Sequence, residues 1–299
     1  MKLLTYQHAD RAALGLVRDN VIVDLSAVAP DMLTLIERGP AALARVREIA
    51  AVASDTTPLE GARLLAPIPT PRRNVMCLGK NYAEHARESQ EARGDQVAAI
   101  EYPVVFTKAT TSVNGPFDDV PVDDAVSMEM DYEAELAFII GRPARHVGRD
   151  EALDYVFGYT VLNDVTARDI QNRHKQFFLG KSLDGCCPIG PWIVTADEIT
   201  DPHALRITCH VNGELRQDSA GERMTFDVPA ILSTLSRTMT LLPGDIIATG
   251  TPSGVGFARK PPVFLRPGDV VECAIEGIGG IRNRVVGARE EGSRGQVPG

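Results

Sequence analysis

Residues 131–140 read Asp-Tyr-Glu-Ala-Glu-Leu-Ala-Phe-Ile-Ile and place two carboxylates where a core strand should begin. Glu133 and Glu135 are two positions apart, so on an extended strand they project to the same face. Residues 136–140 are apolar at both parities, the pattern of a strand buried on both sides. Like charges at the mouth of such a strand repel and lose hydration unless a cation holds them. Asp164 ends a further strand at 158–163, far enough along the chain for a crossover to return it beside the pair. Three carboxylates without a neighbouring Cys or His select Mg²⁺ or Mn²⁺ over zinc or copper. With three protein oxygens, an octahedral ion keeps positions for water or substrate. A structural Ca²⁺ in a non-catalytic binding module is the competing reading of the same acids. Glu129 and Asp131 share the parity of the pair and are expected to be solvated strand positions.

Three other segments carry chemistry. In Asn81-Tyr82-Ala83-Glu84-His85-Ala86-Arg87-Glu88, His85 and Glu88 stand three apart, on one face of a helix. A carboxylate beside an imidazole fixes its tautomer and raises its basicity, which suits a general base; a surface salt bridge has the same spacing. Lys181, in Leu-Gly-Lys-Ser-Leu-Asp, is a surface charge or, near a metal, a group that holds developing negative charge. The glycines of Thr249-Gly-Thr-Pro-Ser-Gly-Val-Gly256 lack the spacing of a nucleotide loop. They fit tight turns, and their N–H groups with Thr251 also suit a carboxylate. Cys186 and Cys187 lie among Gly and Pro with no nearby His and read as packing residues.

These residues must be positioned by the surrounding elements. Strands at 2–5, 13–17 and 21–24 and a helix at 32–51 are expected for a small N-terminal α+β domain, residues 1–66. Pro67, Pro69 and Pro71 form an extended connector to a catalytic domain at 67–288. There the expected strands are 75–78, 104–107, 159–163, 192–195, 206–211, 246–249, 270–275 and 281–286, with helices at 82–93 and 151–156. Strands with scattered short helices argue for an α+β, mainly β fold, a β-roll or sandwich rather than a doubly wound sheet. Residues 94–101 are expected to be mobile and 289–299 a disordered tail. The 299 residues carry a net charge of −9 without a basic run, which argues against nucleic-acid binding. The five cysteines show no Cys-x-x-Cys spacing, and no apolar run is long enough to cross a membrane. A cytoplasmic protein is the expectation.

Taken in order, several segments from 74 to 286 resemble the fumarylacetoacetate hydrolase family. They are Gly79-x-Asn81-Tyr82-x-x-His85-x-x-Glu88, Phe106-x-Lys108, Asp131-Tyr132-Glu133-x-Glu135-Leu136, Asn163-Asp164-Val165-Thr166-Ala167-Arg168-Asp169, Gly180-Lys181-Ser182-x-Asp184, Pro188-Ile189-Gly190-Pro191-Trp192 and Thr249-Gly250-Thr251-Pro252-x-Gly254-Val255-Gly256. The resemblance implies a β-roll catalytic domain, a homodimer, and Mg²⁺ or Mn²⁺ on Glu133, Glu135 and Asp164. It implies 2-oxo or 2,4-dioxo carboxylates as substrates, with the metal stabilising the enolate released by C–C cleavage. His85, supported by Glu88, would activate water and Lys181 would share the developing charge. Thr251, Gly250, Tyr82, Arg168 and Gln171 are the expected substrate contacts; Lys108, Arg168, Gln171, Gln176 and Phe177 are candidates for its far end, and Lys80 lies in the catalytic entry segment. The helix of His85 and the stretch after it would form a lid. Hydrolysis of an acylpyruvate or fumarylpyruvate is the leading expectation. Decarboxylation of oxaloacetate, or isomerisation or decarboxylation of a 2-hydroxymuconate-type aromatic catabolite, would use the same apparatus.

Overall fold

The computed structural model describes residues 1–94, 96 and 98–287. The tail expected at 289–299 lies outside these residues, as do two positions of the stretch 94–101. The strand Ala134–Ile140 is the centre of the architecture, buried at every position. Leu136, Phe138 and Ile140 join one core with Ile207, Cys209, Val271 and Ile281 of a second sheet. Ala137 and Ile139 face the opposite core, against Leu35, Ile36 and Val46 of the helix Met32–Val52. Two packed faces are the reason the run is apolar at both parities.

Among the described residues the larger sheet has twelve strands. Its main path runs Thr56–Pro58, Val21–Asp24, Arg11–Arg18, Lys2–His8, Cys187–Thr195, Val156–Asn163, Ala134–Ile140, Ile246–Ala248, Val75–Gly79 and Val104–Lys108. The first strand of the chain pairs with Cys187–Thr195, so the N-terminal strands extend this sheet directly. The second sheet orders Glu214–Ala220, Arg206–Val211, Val270–Ile275, Gly279–Gly287 and Val120–Val122. The fold is α+β and mainly β, as expected.

Register decides where the chemistry gathers. Ala134 pairs with Asn163 and Ala137 with Ala248, both antiparallel. Ala248 then sits beside Cys77 in a parallel pair. The start of Ala134–Ile140 therefore coincides with the ends of its neighbours. Glu133, Glu135, Asp164, the loop after Ala248 and the segment leading to His85 all meet at one end of the sheet.

The helix expected at 151–156 is a 3-10 helix, Arg149–Tyr155, and the short helices Arg168–Arg173 and Phe178–Lys181 were not expected. Three further differences have a plain physical reason. The helix Met32–Val52 is broken at Gly39, whose φ is 64°, with Pro40 starting the second half. The strand Glu214–Ala220 forms although it is largely polar, because it is an edge strand paired with Arg206–Val211 alone. The helix Val228–Thr238 was not anticipated. Asp227 caps it by accepting the Ala230 N–H at 2.8 Å, and its buried stripe includes Ile231 and Leu235.

Candidate active site

Glu133, Glu135 and Asp164 each offer a carboxylate oxygen, and these lie within 4.8 Å of one another. All three side chains are buried. Lys181 Nζ lies 2.7 Å from both Glu133 Oε2 and Asp164 Oδ2. Lys108 Nζ takes the other Asp164 oxygen at 2.7 Å and donates to the Val165 carbonyl at 3.1 Å. Arg168 Nη2 is 2.6 Å from Glu133 Oε1. Glu135 instead accepts the Gly250 N–H at 2.7 Å, and no ion pair reaches it among the described residues.

The two glutamates titrate oppositely for this reason. Burial would raise Glu133, but the charges of Lys181 and Arg168 outweigh it and hold the carboxyl at about 2. Burial, then repulsion from Asp164 and Glu133, pushes Glu135 well above the carboxylate range. Four buried acids (Asp131, Glu133, Glu135 and Asp164) thus face three buried bases (Lys108, Arg168 and Lys181). The acid left without a base is Glu135, inside an all-oxygen cluster. That donor set fits a hard divalent cation.

His85 stands in the first turns of the helix Ala83–Arg93, which ends at Gly94 in the left-handed region. It is buried, and its Nδ1 lies 3.0 Å from Glu88 Oε1, so the pair is no surface salt bridge. Both Glu88 oxygens also accept the Gly254 N–H at 3.1 Å. With Glu88 ionised, this arrangement keeps the imidazole proton on Nδ1 and leaves Nε2 as the base. Nε2 lies 3.4 Å from Ser89 Oγ. Gly250 has φ 95°, and a Cβ there would come within 2.9 Å of Asn81 Cβ, so the loop can cross the Asn81 segment only as glycine. Asn81 Nδ2 holds it by donating to the Thr249 carbonyl at 2.7 Å. Thr251 donates its hydroxyl to the Ala134 carbonyl at 2.9 Å and accepts from Gln217 Nε2 at 2.8 Å.

Above the acids lies a small, partly open cavity. His85, Glu133, Lys181, Arg168, Gln171 and Thr251 line it, and Lys80 and Phe177 do so as well. Tyr82 and Gly250, expected to touch substrate, are not in its wall. Tyr82 lies fully buried, its hydroxyl without a hydrogen-bond partner among the described residues. Two expectations are corrected. Lys108 cannot reach the far end of a substrate, because it is wholly buried beneath Asp164. Asp131 is not solvated: it is completely buried and ion-paired with Arg168, 2.9 Å from Nε. Glu129 is half-buried at the wall of an outer cleft that shares Arg168, Gln171 and Phe177 with the cavity. Sequence reasoning also missed Ser89 and Gln217, whose roles arise from contacts across the fold.

The fumarylacetoacetate (FAA) hydrolase C-terminal family matches residues 74–286. The chain belongs to the fumarylacetoacetate hydrolase family. It is 40% identical to the oxaloacetate tautomerase YisK of Bacillus subtilis over 95% of this chain and 100% of that protein. A fumarylacetoacetate hydrolase from the psychrophile Exiguobacterium antarcticum shares 42% identity and superposes with a TM-score of 0.79, covering 96% of this chain and 100% of that one. Maleylpyruvate hydrolase from Sphingobium sp. SYK-6, solved with manganese(II) and pyruvate, has 32% identity and a TM-score of 0.79 over 97% of this chain and 100% of that one. Membership of this family makes the chain an enzyme of the family. Among the described residues, no helix is long and apolar enough to cross a membrane.

Proposed function

We propose that this enzyme interconverts the enol and keto forms of oxaloacetate with a divalent cation at the acidic cluster. The observation that carries the reading is His85, held by Glu88, which shares one small cavity with Glu133 and Lys181. It is supported by 40% identity, along nearly the whole chain, to a protein named an oxaloacetate tautomerase. Tautomerisation asks for one proton acceptor beside C3 and positive charge beside the C2 oxygen. C–C hydrolysis asks in addition for a placed water. The tautomerase reading therefore displaces hydrolysis as the leading one.

Mg²⁺ or Mn²⁺ held by Glu133, Glu135 and Asp164 would supply Lewis acidity for a 2-oxo group. The remaining steps belong to the chain. Arg168 and Gln171, joined at 3.2 Å, present donors to a substrate carboxylate. His85 Nε2 takes the C3 proton of the keto form, and the C–H pair moves into the C2–C3 bond as the C2 oxygen gains charge. The Glu88 carboxylate stabilises the imidazolium so formed. Lys181, on the cavity wall, lies near that developing charge. Protonation of the oxygen completes the enol, and the reverse sequence returns the ketone. Decarboxylation would place charge on the same oxygen, which is why that activity belongs to the same site. Hydrolysis is kept as a second reading because the His85–Glu88 pair also suits water activation and a structural relative is a maleylpyruvate hydrolase.

The test is a parallel assay of enol-oxaloacetate, acetylpyruvate and fumarylpyruvate with Mn²⁺, before and after EDTA. Metal-dependent loss of the enol, faster than any cleavage, is expected. Cleavage of an acylpyruvate without tautomerisation would return the assignment to hydrolysis.

A further inference from the structure

Asp131 does more than balance Arg168. Its Oδ1 accepts the Gly256 N–H at 2.7 Å and the Tyr132 N–H at 2.9 Å. Its Oδ2 accepts the Phe257 N–H at 3.1 Å and Arg168 Nε at 2.9 Å. A Cβ on Gly256 would fall 2.6 Å from Asp131 Oδ1, so glycine is what allows the approach. The next residue holds the same loop from its other end: the Tyr132 hydroxyl donates to the Gly254 carbonyl at 3.0 Å. Gly254 in turn gives its N–H to both oxygens of Glu88. Asp131 and Tyr132 are linked to Glu88 through this loop; no hydrogen bond or ion pair joins them directly among the described residues. Phe257, at the far end of the loop, lies under the Arg168 guanidinium, 4.4 Å from its centre.

We infer that Asp131 and Tyr132 are positioning residues: by clamping the 254–257 loop they hold Glu88 against His85, and by anchoring Arg168 they set the substrate-facing wall. The inference rests on the reading that His85 acts as the base. Neither residue lines the cavity, so their influence must travel through Glu88 and Arg168. Asp131→Asn replaces one acceptor oxygen by an NH₂ group that faces other donors. Whichever way the amide turns, two of the four accepted bonds are lost. Tyr132→Phe removes a single hydroxyl and leaves the buried ring.

The experiment is a pair of double-mutant cycles on the full-length, Mn²⁺-saturated enzyme, with kcat and KM measured on oxaloacetate and folding checked by circular dichroism. Asp131→Asn is expected to lower kcat by about 100-fold, within the range of lost acid–base catalysis, and to raise KM through Arg168. Tyr132→Phe should lower kcat several-fold, per folded enzyme counted by circular dichroism, with KM unmoved. Combined with Glu88→Gln, each variant should lose less than the product of the single losses, by about tenfold for Asp131→Asn. Products that multiply within about twofold, the behaviour of independent sites, would overturn the inference. If Asp131→Asn does not fold, the Tyr132 cycle decides alone. His85→Ala or Glu88→Gln with wild-type turnover would instead overturn the underlying reading, and the inference with it.

Discussion

Lys108 is the most exacting test of the charge arrangement beneath the site. It is fully buried, as is its partner Asp164, and Lys108→Met keeps its length while removing the charge. Asp164 would retain Lys181, but the cluster would pass from four acids against three bases to four against two. Removing one partner of a buried pair costs about 3–5 kcal/mol, and loss of the bond to the Val165 carbonyl belongs to that cost. At two to four degrees per kcal/mol, the metal-free variant should melt roughly 6–20 °C below the wild type. Adding Mn²⁺ should narrow the gap, because the variant offers the ion a more negative site. Saturation at a thousand times Kd is itself worth about 4 kcal/mol. Thermal melts in EDTA and in excess Mn²⁺ measure both effects. A melting temperature within about 2 °C of wild type in EDTA, about 0.5–1 kcal/mol, would mean that Lys108 does not carry the charge balance of the cluster.

Further outcomes follow from the same geometry. Glu133→Gln removes one of three ligand carboxylates and should weaken Mn²⁺ binding, measured by calorimetry, by more than about 100-fold, beyond the effect of losing an outer partner; unchanged affinity would refute the ligand set. Glu135, raised by burial and by Asp164 and Glu133, keeps its proton in the metal-free fold where the unfolded chain has lost it. Metal-free stability should therefore fall as pH rises above the ordinary carboxylate range, and Mn²⁺ binding should expel a proton and tighten with pH. Titrations in buffers of different ionisation enthalpy count that proton, and identical heats would contradict it. Cys186 and Cys187 are buried and pushed up to about 12, so a disulfide reagent should leave them unlabelled until the protein unfolds.

Local pattern exposed much of this structure to sequence reasoning, and longer-range contacts concealed the rest. The strands Val21–Asp24, Arg206–Val211 and Val270–Ile275 have the bounds their composition suggests, because β-branched runs there end at turn residues. The acidic triad was legible because charged residues beside a doubly buried strand demand a counter-charge. Asp131 was not, since its partner Arg168 lies on another strand–helix junction and nothing in the local alternation distinguishes it from Glu129. Lys108 looked like a substrate contact for a similar reason: its place beneath Asp164 depends on pairing between Val75–Gly79 and Val104–Lys108. The strand Glu214–Ala220 lacks an apolar alternation, but the Asn212-Gly213 turn before it, with positive φ at both residues, carried a signal that could have revealed the hairpin.

Tautomerisation of oxaloacetate by His85, with a cation at the acidic cluster, can be measured directly. The direct measurement is the rate of enol-oxaloacetate loss by ultraviolet absorbance, with the keto product trapped as it forms. It should compare wild type with Mn²⁺, wild type with EDTA, and His85→Ala with Mn²⁺. Rapid loss is expected in the first case and a fall of about 100-fold or more in the other two, the scale of general acid–base catalysis. Wild-type enzyme with Mn²⁺ that leaves the enol to decay at the solvent rate would contradict it.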